Sequence, residues 1–220
     1  MASQRLQSNL RGIGKRKQVQ LAKLLQDLKW QGSMDLIEGI YASNDPSVRW
    51  WAVAAAGQLS GARVRRFFDS AVRQDQDLGV RDLALSYLGL EGKEGALDMM
   101  IQILSNPSET ASMRDRAADA IGDLFECHRK VKRRVEGINA LIAALQDPSP
   151  EVRFTACFSL GKIEAHEAIG PLRQLSATDH EVAAHYGPVA KQATYSCDYL
   201  EGRSKTLLHV LNKLGEITDE

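Results

Sequence analysis

Apolar and small side chains fall on one helical face in two well-separated stretches. In residues 47–59 they are Val48, Ala52, Ala55, Ala56 and Leu59; in residues 150–163 they are Val152, Ala156, Ser159, Leu160 and Ile163. Both follow the i, i+4, i+7, i+8 spacing of an amphipathic helix. Asp45-Pro46 and Ser149-Pro150 put a side-chain cap before a proline at the first helical position of each. Gly187-Pro188 repeats that signal less strongly, and Asp77 is the expected cap of another such helix. Aliphatic pairs such as Leu36/Ile40, Leu97/Ile101 and Leu141/Leu145 predict partner helices upstream. These lie near Met34–Ala42, Val64–Val72, Ala96–Leu104, Glu136–Leu145 and Ala168–Leu175. Two flanking helices, Lys15–Lys29 and Ser204–Leu214, are predicted as caps.

The second helices share a five-residue word: a bulky apolar residue, Arg, two variable residues, Ala. It begins at Val48, Val80, Met113 and Val152, with a decayed copy at Val189. Nine residues on stand Gly57, Gly89, Gly122 and Gly161, and Asp198 in the decayed copy. The word recurs at intervals of 32, 33, 39 and 37 residues. A fixed-register word of this period is the mark of a helical repeat array, in which each unit buries its apolar face only against its neighbours. The Ala and Gly positions are expected where the two helices of a unit approach closely. The recurrent Arg is expected to reach the caps or carbonyls of a neighbouring unit. The 39-residue interval holds the run 129–134, Arg-Lys-Val-Lys-Arg-Arg, read as an insertion or a helix extension.

Composition changes the picture little. The 220 residues carry 28 basic and 28 acidic side chains, so no global field recruits nucleic acid or a membrane. Residues 1–23 hold six basic side chains and no acid. This segment and the run 129–134 read as solvated faces or loops, with an anion site as the alternative. Three cysteines without paired spacing, and no apolar leader, point to a reducing, cytoplasmic setting. No apolar run has the length needed to span a bilayer.

The words DPSVRWWAVAAAGQL and DPSPEVRFTACFSLGKI resemble the HEAT-like repeats of the phycobilisome-lyase type. The resemblance covers residues 34–200 and implies an all-α fold: a right-handed α-solenoid of about five HEAT-like helix pairs with capping helices. Residues 1–33 then form a basic segment and capping helix, and residues 201–220 a C-terminal capping helix and tail. Some proteins of this type attach linear tetrapyrroles to phycobiliproteins or detach them, and others are chaperones or degradation adaptors for those antenna proteins. The matching residues are packing residues, so the resemblance speaks to fold more than to function.

In such arrays the second helices line the concave surface. The residues two and six after the word's first position are expected to point away from the core. They are Trp50 and Ala54, Asp82 and Ser86, Asp115 and Asp119, Phe154 and Phe158, Lys191 and Tyr195; Trp51 and Tyr87 flank them. The expected binding face therefore comprises Trp50, Trp51, Asp82, Asp115, Asp119, Phe154, Phe158 and Tyr195: rings at its ends, carboxylates in its middle. It suits a basic helix or loop of a partner protein, by resemblance a phycobiliprotein or another pigment-bearing protein. It also suits a linear tetrapyrrole (bilin), whose pyrrole N–H groups bond a carboxylate while its rings stack on aromatics. Taken one at a time, the same aromatics could simply cover neighbouring helices.

Enzymatic signatures are weak. His128 follows Cys127 with no second ligand pair at zinc spacing, so no metal site is expected. His166-Glu167 and His180-Glu181 are similar to the pairs of HEAT-repeat di-iron hydroxylases but lie outside the second-helix register. No phosphate loop, nucleophile elbow or Ser/His/Asp order is present. Cys157 and Cys197 are expected to be buried and inert, with transient attachment of a bilin as the alternative. HEAT-like DNA glycosylases bind duplex on basic concave faces, whereas this face is acidic in its middle units, which repels phosphate. The reading is a binding scaffold for a protein partner, with a bilin lyase-type factor second and a DNA-binding or glycosylase-type protein third.

Overall fold

The structure, a computed structural model, describes residues 14–28, 33–91, 94–128 and 131–203. The expected C-terminal cap Ser204–Leu214, most of the basic segment 1–23, and Arg129 and Lys130 lie outside them. The chain divides into two compact units, Met1–Gly92 and Lys93–Glu220. The first contains α1 (Lys15–Leu28), α2 (Met34–Tyr41), α3 (Pro46–Ala56), α4 (Ala62–Gln74) and α5 (Leu78–Glu91). The second contains α6 (Glu94–Ser105), α7 (Ala111–Cys127), α8 (Arg134–Ala144), α9 (Pro150–Lys162), α10 (Ile169–Thr178) and α11 (Val189–Leu200). Each unit is built of α-solenoid helix pairs, α2/α3 and α4/α5 in the first, α6/α7, α8/α9 and α10/α11 in the second. Within the second, α7, α9 and α11 also pack on one another in turn.

The words fold as their pattern dictates. Val48, Val80, Met113, Val152 and Val189 are fully buried, and so are the alanines Ala52, Ala84, Ala117, Ala156 and Ala193. They meet a core built in the first unit around Ile37, Ile40, Phe68 and Leu85, and in the second around Met100, Ile121, Phe125 and Leu141. Asp45 caps α3 by accepting from the Ser47 N–H at 2.9 Å, and Asp77 accepts from the Val80 N–H at 3.0 Å. Ser149 departs from expectation. Its hydroxyl donates to Glu151, and its own N–H is held by Asp147 at 2.8 Å, because the Asp side chain reaches two residues on and occupies the turn first. Gly187-Pro188 does not form a side-chain cap either; it pairs with Val182–Ala183 as a two-residue antiparallel ribbon. Of the basic run, Arg133 pairs with Asp98 and Glu136, and Arg134 donates to the Ile163 carbonyl, so these two residues fasten α8 in place.

The recurrent Arg ties one repeat to the next. Arg49 grips Asp75 through Nε and Nη2, both at 2.8 Å, and its Nη1 donates to the Ser43 and Asn44 carbonyls. Arg114 grips Asp147 at 2.7 and 2.9 Å and donates to the Glu109 carbonyl. Arg153 bonds Asp179 at 2.7 Å and donates to the Asp147 and Pro148 carbonyls. Each of these carboxylates also accepts the backbone N–H two residues on, at Asp77, Ser149 and Glu181. The fork of one second helix thereby fixes the loop that launches the next. Arg81 donates from Nε to the Val72 carbonyl at 2.9 Å.

The glycines of the words do different work from that expected. A Cβ on Gly57 would lie 2.2 Å from the Tyr87 ring, one on Gly122 2.7 Å from Ser159 Oγ, and one on Gly161 2.9 Å from Ser196 Oγ. Tyr87, Ser159 and Ser196 hold the same register in the following word. The close approach is therefore between successive second helices, not between the two helices of a pair. Ser159 and Ser196 use the proximity to donate to the Ala118 and Cys157 carbonyls, at 3.0 and 2.8 Å.

Helix α9 ends on Glu164, whose φ of 57° places it in the left-handed region. The Ala165 N–H bonds the Leu160 carbonyl behind it, the closing bond of a helix-terminating turn that favours glycine. Glu164→Gly is expected to raise the stability of this unit by roughly 0.5–1 kcal/mol, because a side chain in that conformation is penalised. A urea melt checks it through a higher midpoint at unchanged slope.

Candidate functional site

Helices α7 and α9 lie side by side in the second unit, and their outward positions meet. On α7 these are Asp115 and Asp119, one turn apart, with Arg116 beside them. On α9 they are Phe154 and Phe158, also one turn apart. The 184–186 tip of the ribbon between α10 and α11 brings Tyr186 over them. Together with Thr155 these residues line a cavity of about 210 Å³.

The contacts inside it are specific. The Tyr186 ring stacks on Phe154 with centroids 5.1 Å apart and planes 15° from parallel. Its hydroxyl donates to Asp115 at 3.1 Å. Arg116 donates to Asp119 at 2.9 Å. Burial raises the Asp119 carboxyl, and Asp123 and Asp115 add to the rise; Arg116 and Lys162 oppose it, and the net direction is upward. Burial, then the charge and hydrogen bond of Asp115, push the Tyr186 phenol up. Along α7 the acids continue: Asp123 and Glu126 hold the Lys162 ammonium at 2.6 and 2.7 Å, and that ammonium lies 6.0 Å from the Phe158 ring centroid. Aromatic faces and carboxylates thus share one space.

Four of the expected site residues, Asp115, Asp119, Phe154 and Phe158, come together here. Tyr195 of the same unit does not line it, and Trp50, Trp51 and Asp82 belong to the first unit. Trp50 and Trp51 sit edge to face on α3 with centroids 5.1 Å apart, and the Lys23 ammonium lies 4.4 Å from the Trp51 centroid. Asp82 is half-buried on α5, and Tyr195 is exposed on α11 with the Lys191 ammonium 5.5 Å from its ring. Ala54 does not point away from the core. It is buried, because α3 is packed by α1, α2 and α5 and keeps little of its circumference for solvent. Three lining residues escape the two-and-six register. Arg116 and Thr155 each stand three residues after the first of their word, and Tyr186 belongs to the ribbon. The one hint of the latter in the sequence is a Tyr immediately before Gly187-Pro188.

The thiols offer little chemistry. Cys157 and Cys197 are buried, and burial first, then Asp179, pushes the Cys157 thiol far up. Cys127 is exposed. A neutral-pH thiol titration of the native protein is expected to consume one equivalent promptly and the other two only after unfolding. Among the described residues, no group of three or more His, Cys, Asp or Glu is placed to hold a metal ion. No described helix is long and apolar enough to cross a membrane.

The model of the HEAT repeats family matches residues 33–122 and 97–185. The chain is a HEAT-repeat protein. It is 28% identical over 114 residues to the uncharacterized phycocyanin operon protein Z of Pseudanabaena tenuis (strain PCC 7409), covering 52% of this chain and 55% of that protein. The chain thus spans about half the length of that curated relative. Among solved structures it resembles the CpcE–CpcF complex of phycocyanin lyase from Nostoc sp. PCC7120, with TM-score 0.59, 18% identity, and coverage of 75% of this chain and 98% of that one. A designed armadillo repeat protein in complex with the peptide (KR)4 is also similar, with TM-score 0.56, 17% identity, and coverage of 89% and 98%. These structural likenesses establish the repeat fold, and the HEAT-repeat units carry the cavity on their second helices.

Proposed function

We propose that this HEAT-repeat protein is a docking scaffold whose second-helix face takes a partner protein, a phycobiliprotein or another tetrapyrrole-bearing protein. The observation that carries the reading is the cavity walled by Asp115, Asp119, Phe154 and Tyr186. It combines ring faces for apolar contact with carboxylates for donors. The similarity to a phycocyanin operon protein and to phycocyanin lyase subunits supports the pigment-protein partner.

The second reading is a factor that holds a linear tetrapyrrole for attachment or detachment. The Asp115 carboxylate beside the stacked Phe154 and Tyr186 rings favours it. Size opposes it: drug-sized ligands occupy pockets of about 300–1,000 Å³. A cavity near 210 Å³ receives one ring of a tetrapyrrole and leaves the others on open surface. A nucleic-acid partner is disfavoured by the acids of α7.

Titration calorimetry against purified phycobiliprotein subunits, with and without chromophore, tests the first reading. Saturable binding of either form is expected; heats of dilution alone would remove it. Mixing with free bilins, read by visible absorption, tests the second. A band shift abolished by Asp115→Ala and Phe154→Ala supports it, and an unchanged spectrum with every bilin ends it.

A further inference from the structure

We propose that the α7–α9 cavity receives a single cationic side chain, Arg in preference to Lys, projecting from the docked partner. The proposal deepens the docking reading above and rests on it. Its parts are on one surface: two carboxylates, three rings and a ribbon tip that belongs to neither helix.

Charge comes first. Among the lining side chains, the two carboxylates Asp115 and Asp119 outnumber the one guanidinium, that of Arg116. Arg116 lies 2.9 Å from Asp119, which shows that a guanidinium fits against this wall. The rings come second. The Phe154 and Tyr186 rings lie parallel and Phe158 also lines the cavity, and a guanidinium near an aromatic face gains from the ring quadrupole. Arg carries a flat, weakly hydrated cation suited to stacking, whereas the Lys ammonium is a compact and strongly hydrated charge. Volume comes third. About 210 Å³ admits one long side chain and excludes a helix or an intact tetrapyrrole. Finally, Tyr186 is 50% exposed on a ribbon tip and is held by one stacking contact and one hydrogen bond to Asp115. An entering guanidinium takes over that carboxylate and keeps Tyr186 as its lid.

The probe is a fluorescein-labelled octapeptide of alternating Lys and Arg, followed by fluorescence anisotropy at 150 mM salt. Reference peptides carry only Lys, or Gln throughout. The Lys–Arg peptide is expected to bind tightest, the Lys peptide more weakly and the Gln peptide not at all. Asp115→Asn and Asp119→Asn should each weaken binding by about tenfold, the effect of a lost charge-assisted contact. Tyr186→Ala should weaken it several-fold, and Glu167→Gln, an exposed acid outside the cavity, should change nothing. Unchanged melting temperatures show that the variants fold. No binding to the wild type overturns the proposal. So does an equal loss in Glu167→Gln, which signals charge attraction without a site. The same variants are titrated with the phycobiliprotein subunits. If those bind wild type and Asp115→Asn alike, the docking reading stands and the cationic subsite falls. If the peptide behaves as expected and no subunit binds, the subsite stands and the named partner falls.

Discussion

Replacing Arg153 with Met is expected to destabilise the second unit by about 3–5 kcal/mol, the cost of leaving a buried charge without its partner. Arg153 and Asp179 are nearly sealed from water, with side-chain exposures of 10% and 5%. Methionine matches the aliphatic stem and removes every donor. The Asp147 and Pro148 carbonyls lose the Nη1 contact at the same time. Thermal denaturation should show the melting temperature falling by on the order of 10 °C. Adding Asp179→Leu to Arg153→Met should recover part of the loss, because removing both charges is far cheaper than removing one. Only part returns, since the Glu181 N–H then loses its acceptor. A double variant no more stable than the single one would mean that the loop geometry, not the ion pair, carries the energy.

The same pairs set an acid limit. Burial works to raise the Asp179 and Asp75 carboxyls, but Arg153 and Arg49, with the N–H groups of Glu181 and Asp77, outweigh it and hold both below the ordinary value. A native carboxyl held low binds protons less readily than its unfolded counterpart, so stability rises with pH across that interval. The contribution is complete well above the unfolded Asp value of about 3.9, and drains as pH falls below it through the depressed native value. Melting temperatures recorded from pH 6 downward should therefore stay level and then drop below about pH 4. In Arg153→Met that drop should be shallower, because Asp179 no longer prefers its charged form in the folded state.

The helix pairs were legible because each helix carries its own apolar period, so every segment announces itself without help from the rest. The expected first helices fall within a few residues of α2, α4, α6, α8 and α10. The role of the recurrent Arg was legible for the same reason: a charged residue repeated beside buried neighbours must find a partner near its own register. The role of Gly122 was not. A glycine shows that space is short but not which neighbour fills it, and the neighbour, Ser159, stands 37 residues away. Of the cavity, the carboxylates and phenylalanines could be read from helical register on α7 and α9. Tyr186 could not, since its position depends on a ribbon of two-residue strands that has no periodic signal.

Gly122→Ala is expected to cost about 2 kcal/mol and Gly122→Val about 3 kcal/mol or more, the range of overpacking in a close-packed interior. The added Cβ would lie 2.7 Å from Ser159 Oγ, 3.0 Å from its Cβ and 3.5 Å from its Cα. Rotating the hydroxyl away relieves only the first contact and gives up its bond to the Ala118 carbonyl; the 3.0 Å approach of the Ser159 Cβ remains and presses α7 and α9 apart. Opposing this, alanine gains roughly 0.8–1 kcal/mol over glycine in helix propensity. Gly170→Ala isolates that gain, because nothing lies within 4 Å of its added Cβ, and it should stabilise slightly. Ser159→Gly clears the space facing residue 122, so the pair Gly122→Ala with Ser159→Gly should be more stable than the sum of the singles predicts. The spacing of α7 and α9 also sets the width of the cavity between Asp115 and Phe154. Gly122→Ala should therefore weaken binding of the Lys–Arg peptide at a temperature where the variant is still fully folded, and Gly170→Ala should not. Equal affinity in both variants would separate the packing of these helices from the binding site they carry.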